Sequence, residues 1–137
     1  QDPKGAYAAV IPKFIDIMRN NSQPTINGDG TFSRDFTYVD NVVQANVKAL
    51  LTQNTTSYGE VFNIGAGGRI TILELVDAIN KGLKTNIKPV LGQNRAGDIP
   101  HSNADVSKAK SILDYEPNIQ FYEGIDMLIN AYSNEKN

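Results

Sequence analysis

The chain has 137 residues, 40% of them hydrophobic and 20% charged, with a formal net charge of -2. This is an ordinary globular composition, long enough to bury one core, and it excludes disordered, fibrous and coiled-coil classes. No basic stretch offers a nucleic-acid footprint, and no apolar run approaches the roughly 20 residues of a membrane span.

There is no cysteine and one histidine, His101, so disulfides, thiol nucleophiles and Cys- or multi-His metal sites are all excluded. No Gly-x-Ser-x-Gly turn is present to expose a hydrolytic serine. The cysteine-free composition fits a reducing compartment, and a cytoplasmic protein is expected. The opening Gln1-Asp2-Pro3-Lys4-Gly5 reads as loop, as if the chain were entered in mid-protein.

In chain order, Val10, Ile11, Phe14, Ile15 and Met18 recur at helical spacing and predict an amphipathic helix over 8–20 with Pro12 in its first turn. A strand is predicted over 23–27, then a turn at Gly28-Asp29-Gly30. Residues 34–39 alternate and read as extended. Asp40 is expected to cap a helix whose apolar face is Val43, Val47, Leu50 and Leu51. Residues 60–64 predict a buried strand leading into Gly65-Ala66-Gly67-Gly68. Thr71-Ile72-Leu73-Glu74 has the form of a capping box, opening a helix to about Lys81 with Gly82 as its stop. An edge strand follows at 87–91, where Pro89 cannot donate to a ladder. Asp105 caps a helix through Leu113, Pro117 turns the chain, and Ile125, Leu128, Ile129 and Tyr132 mark a last helix. The order predicts a mixed, helix-rich α/β domain spanning 1–137. The glycine run at 65–68 is misplaced for a dinucleotide fingerprint, because the next helix begins only at Ile72.

Two segments carry candidate chemistry: Gly28 through Asp40, and Arg95-Ala96-Gly97-Asp98-Ile99-Pro100. Each sets an arginine in or near a glycine-containing turn, which suits a phosphate ligand, although an isolated loop arginine is more often simply solvated. Gly-Asp-Gly followed by Arg34-Asp35-Phe36-x-Tyr38-Val39-x-Asp40 resembles the C-terminal half of the extended short-chain dehydrogenase/reductases. So do Phe62-Asn63-Ile64-Gly65, Thr71-Ile72-x-Glu74-Leu75, Arg95-x-Gly97-Asp98-Ile99, and Leu113-x-Tyr115-x-Pro117. The pieces stand in the family's order over nearly the whole chain. Gln1-Asp2-Pro3 and Gly5 through Pro12 most resemble bacterial UDP-N-acetylhexosamine 4-epimerases of polysaccharide biosynthesis.

This resemblance implies a small C-terminal substrate-binding domain from which the Rossmann part is missing. Arg34 and Arg95 would grip the nucleotide diphosphate, and Asp98 would accept from the ribose hydroxyls. Thr25 and Asn27 would lie along the uracil, Phe36 and Ile72 would wall the nucleotide, and Gln1, Ala9 and Ser102 would lie near the hexose. It also implies a parent enzyme, a homodimer, that epimerises UDP-N-acetylhexosamine with NAD. The cofactor, and the family's Tyr-x-x-x-Lys acid/base pair, would belong to the protein's own N-terminal domain. Here Tyr132-x-x-x-Lys136 matches that pair only by letter, in the polar tail.

Plainer structural readings stand beside these. Asp40, Asp105 and Thr71 are better explained as helix caps, Asn63 as a backbone partner, and Tyr38 and Tyr115 as packing. His101 reads as a loop residue, and Phe36 is divided evenly between core and pocket. A dehydratase or decarboxylase on the same scaffold, or a non-catalytic sugar-nucleotide module, is the alternative function. No metal is expected, and no NAD site within this chain.

Overall fold

A computed structural model of the chain describes residues 9–134. In chain order its elements are α1 (Val10–Arg19), β1 (Thr25–Asn27), β2 (Ser33–Arg34), α2 (Val39–Leu51), a 3-10 turn (Thr55–Ser57), β3 (Ile70–Thr71), α3 (Ile72–Leu83), β4 (Val90–Gly92), β5 (His101–Ser102), α4 (Ser107–Leu113) and α5 (Phe121–Asn134). This is the mixed, helix-rich architecture expected. The described residues form two compact units, one of 9–33, 71–100 and 125–134, the other of 34–70 and 101–124.

The first unit is built on periodicity. Helix α1 buries Pro12, Phe14, Ile15 and Met18, and packs on α3, which buries Leu75, Val76, Ala78 and Ile79. Strand β1 runs parallel to β4, with Thr25 opposite Val90 and Asn27 opposite Gly92. Ile26 is turned into the core while Thr25 and Asn27 stand exposed on the other face, as period-two alternation requires. The capping box opening α3 is complete: the Thr71 hydroxyl accepts from the Glu74 N–H at 3.1 Å, and the Glu74 carboxylate accepts from the Thr71 N–H at 2.7 Å. That pairing holds the Glu74 carboxyl below the usual range, with the Thr71 N–H as the largest cause. Gly82, expected to stop this helix, lies inside it. A Cβ there would come within 2.5 Å of the Ile129 Cδ1 in α5, so the glycine serves close helix packing. The helix ends instead at Lys84, in the left-handed conformation.

The second unit is centred on Ala45, Val106, Ala109, Leu113 and Tyr115, with Phe62, Ile64, Ala104 and Ile112 packed around them. The strand expected over 60–64 does not form. Phe62 and Ile64 turn inward while Val61 is 82% exposed, so the alternation is present but no strand among the described residues pairs with it. The extended stretch of 34–39 is likewise shorter than expected, since β2 ends at Arg34 and α2 begins at Val39.

The capping residues also shift. Asp40 sits in the first turn of α2, where a carboxylate favours the helix dipole, and the N-cap is Tyr38, which makes no side-chain cap. Asp105 takes the Ser107 N–H at 2.9 Å from one residue before the N-cap Val106. Helix α2 buries only Asn41 and Ala45. The expected apolar face is exposed at Val43, Val47, Leu50 and Leu51.

Candidate functional site

In the first unit, the parallel strands β1 and β4 both end in loops that can hold a ligand, the usual position for a site in a parallel sheet. Beyond Asn27 the chain turns through Gly28-Asp29-Gly30. The Gly28 N–H donates to the Gly92 carbonyl at 3.2 Å, and Gly28 lies against the Asn94 side chain. The Asp29 carboxylate accepts from the Thr31 hydroxyl at 2.7 Å and from its N–H at 3.0 Å, which holds Asp29 below the usual carboxyl range. Gly30 has φ +81°, and a Cβ on it would fall 2.6 Å from the Leu73 Cγ, so a larger residue there is strained. The Gly30 carbonyl accepts from the Leu73 N–H and the Phe32 carbonyl from the Ile72 N–H, which latches the start of α3 to this loop.

Strand β4 continues into the 93–98 loop. There the Asp98 N–H donates to the Arg95 carbonyl at 3.2 Å across a turn carrying Gly97 at φ +86°. Asn27, Ile72, Arg95 and Asp98 are thus carried by ends and loops that contact one another, with Thr25 two residues back on the same strand face. An exposed guanidinium, a half-buried carboxylate and an exposed amide offer a phosphate fork, a diol acceptor and a base edge respectively.

The second unit holds Arg34, Phe36 and Ser102. The Asp35 N–H donates to the Ser102 carbonyl at 2.9 Å, which sets Ser102 beside the Arg34–Phe36 stretch. Phe36 stacks on Phe121, ring centroids 5.6 Å apart. The sequence reading left Asp35 without a role, yet its carboxylate organises this region. It accepts from the Ala66 N–H at 3.0 Å, the Gly67 N–H at 3.1 Å and the Ala104 N–H at 3.5 Å. The Thr37 hydroxyl accepts from the Ala66 N–H as well, at 3.1 Å. A Cβ on Gly65 would lie 2.6 Å from the Asp35 Oδ2, so the glycine run is fitted to this carboxylate. A cavity of about 330 Å³ opens here, lined by Asp35, Thr37, Asn63, Gly65, Ser102 and Asp105 among others. A carboxylate followed far downstream by glycines is a faint signal, and only the fold joins them.

Asn63 donates to the Asp105 carbonyl, and Tyr38 packs against Gly124. Tyr115 is fully buried with its hydroxyl donating to the Gly65 carbonyl at 2.8 Å; burial pushes its phenol up. His101 is exposed in β5. Ala9 is the exposed N-cap of α1, and Gln1 lies outside the described residues. Among the described residues no three His, Asp or Glu side chains converge to hold a metal, and no helix is long and apolar enough to cross a membrane.

A dinucleotide needs a glycine loop joining the end of a parallel strand directly to a helix N-terminus. Gly28–Gly30 runs on to β2, and the 65–68 run has no strand before it and β3 after it. These loops do not fit NAD.

Residues 1–65 match the profile of the NAD dependent epimerase/dehydratase family, and the chain is similar to such enzymes over nearly its whole length. Relatives over nearly its whole length include UDP-sugar 4-epimerases. A Methanocaldococcus jannaschii protein provisionally named a UDP-glucose 4-epimerase is 39% identical over 98% of this chain and 42% of its own length. The UDP-glucose 4-epimerase of Thermotoga maritima, solved with UDP-glucose, superposes with a TM-score of 0.90 at 34% identity over 100% of this chain and 43% of its own. The UDP-N-acetylglucosamine 4-epimerase of Methanobrevibacter ruminantium, solved with UDP-N-acetylmuramic acid, gives 0.88 at 34% identity over 98% and 42%. Related 4-epimerases have been solved with NAD, and UDP-sugar decarboxylases are also among the relatives. The chain therefore spans about two fifths of the length of the proteins it matches.

Proposed function

We propose that this chain is the nucleotide-sugar-binding part of a longer cytoplasmic, homodimeric NAD-dependent UDP-N-acetylhexosamine 4-epimerase, with NAD and the acid/base residues on an N-terminal Rossmann domain. The observation that carries this reading is the whole-chain likeness to a UDP-N-acetylglucosamine 4-epimerase. The loops beyond β1 and β4 support it, because they bring Asn27, Arg95 and Asp98 to one end of the first unit.

In this reading Arg95 and Arg34 bind phosphate oxygens, Asp98 accepts from the ribose diol, Thr25 and Asn27 read the uracil edge, and Ile72 and Phe36 are apolar walls. Ala9, Gln1 and Ser102 lie toward the hexose, where a small Ala9 leaves room for an N-acetyl group. The chain's share of catalysis is binding energy on groups remote from the reacting carbon, which orients the sugar.

The test is conversion of UDP-N-acetylglucosamine by the polypeptide that includes the upstream domain and, separately, by the 137-residue chain. The longer protein is expected to form the C4 epimer and the short chain to form none. Turnover by the pure short chain overturns the reading, as does a longer protein that binds no NAD. Release of carbon dioxide or loss of water in place of epimer assigns the scaffold to a decarboxylase or dehydratase.

A further inference from the structure

The stretch from Asp35 to Tyr38 lies between the end of β2 and the start of α2, and no strand among the described residues pairs with it. After the Asp35 N–H, which donates to the Ser102 carbonyl, the hold on it passes to side chains. Asp35 and Thr37 converge on one amide. The Ala66 N–H donates to the Asp35 Oδ1 at 3.0 Å and to the Thr37 hydroxyl at 3.1 Å. The other carboxylate oxygen of Asp35 accepts from the Gly67 N–H at 3.1 Å.

Side chains of extended backbone alternate, so residues two apart share a face. Asp35 and Thr37 both line the cavity at the glycine run, and neither Arg34 nor Phe36 does. Phe36 stacks on Phe121 instead. The stretch therefore has a back face pinned to the glycine run and a front face carrying Arg34 and Phe36. The far end of this clamp is itself anchored. The Gly65 carbonyl accepts from the hydroxyl of Tyr115, which is wholly buried in the core of the second unit. N–H bonds to a carboxylate are stronger than those to a neutral acceptor, so Asp35 is the firmer arm. Thr37 is the weaker one, because it shares an N–H that Asp35 already holds.

We propose that Asp35 is a positioning residue for the nucleotide sugar: by clamping the back of this stretch to the Ala66 and Gly67 N–H groups, it holds Arg34 turned toward the phosphates. It touches no ligand and acts through Arg34. An arginine fork recognises phosphate by its fixed geometry, so a guanidinium whose backbone is not aimed loses most of that contact. The proposal rests on the reading above that Arg34 binds phosphate.

The test is calorimetric titration of UDP into the full-length enzyme, with NAD affinity measured on the same proteins. Wild type is compared with Arg34→Ala, Asp35→Asn, Thr37→Val, and Arg34→Ala combined with Asp35→Asn. Asp35→Asn keeps the shape but sets an amide NH2 against an N–H donor. It is expected to weaken UDP binding about tenfold, as Arg34→Ala does, and to leave NAD binding unchanged. In the Arg34→Ala background the same substitution is expected to change UDP affinity by less than about twofold, because the residue it acts through is gone. A merely structural aspartate weakens binding equally in both backgrounds, and that result overturns the proposal. Unchanged UDP affinity in Asp35→Asn, beside a weakened Arg34→Ala, also overturns it and leaves the functional reading standing. Unchanged affinity in Arg34→Ala defeats the functional reading of Arg34, and the proposal with it. If Asp35→Asn loses NAD as well, Thr37→Val decides. A loss of UDP affinity of about threefold with NAD retained supports the clamp, and no loss overturns it.

Discussion

Helices α1 and α3 on one hand and α2 on the other look alike as strings of apolar residues, and the fold uses them in opposite ways. In α1 and α3 the periodic residues are buried, down to 0% exposure at Ile15, Leu75 and Ile79. In α2 the periodic residues stand in solvent, and a polar amide and one methyl group face the core. Burying a Val or Leu side chain is worth about 1.5–3 kcal/mol, so the exposed stripe leaves several kcal/mol ungained in this chain. Periodicity therefore identifies residues that need a neighbour; it does not say which body provides one.

The sharpest way to break the comparison is to shave one residue from each class. Ile79→Ala removes packing from a filled core and is expected to lower stability by about 2–5 kcal/mol in chemical denaturation. Val47→Ala in the 137-residue chain is expected to change it by no more than about 0.5 kcal/mol, because Val47 is half-exposed at 48%. Similar losses for the two would mean that the α2 stripe is already covered.

A smaller effect tests the inward side of α2. Asn41→Ala strands the Ile119 N–H and carbonyl, both bonded by the Asn41 amide, and is expected to cost about 1–3 kcal/mol in the same assay. A neutral result would remove the reason for the helix to face as it does.

A loss smaller than that for Asn41 separates the helix starts. α3 has a capping box and α2 has no side-chain cap, so Thr71→Ala is expected to cost about 1 kcal/mol. Glu74 adds a pH signature. Its folded carboxyl lies below the ordinary value of 4.5, so its contribution is present above that value and is lost as pH falls through the lower, folded one. Glu74→Gln should flatten that acid limb; an unchanged limb would show that the cap does not couple to protonation.

What could be read from the sequence follows the range of the interactions involved. The capping box was legible because Thr71 and Glu74 are three residues apart and meet in any helix begun there. The α1 and α3 stripes were legible because each helix buries its own apolar side. The inward turn of α2 was not, since it depends on Asn41 meeting Ile119 far along the chain. The 60–64 stretch shows the alternation of a strand without the partner that makes one. Gly82 read as a stop because its reason, the Ile129 side chain of α5, lies in another helix. At the site, Arg95 and Asp98 were named through family resemblance. The meeting of their loop with the turn after Asn27, at Gly28 against Gly92 and Asn94, follows from the parallel pairing of β1 with β4, which no local pattern encodes. Asp35 went unassigned because the N–H groups it holds lie downstream on two separate loops.

In the function proposed above, this chain grips the nucleotide while another domain holds the cofactor. The most direct test is titration of UDP into the full-length protein, wild type against Arg95→Ala, with NAD affinity measured beside it. Loss of hydrogen bonds from a charged group to phosphate is expected to weaken UDP binding by about tenfold or more and to leave NAD binding unchanged. Unchanged UDP affinity in Arg95→Ala, or a loss of NAD affinity in place of UDP affinity, would contradict the account.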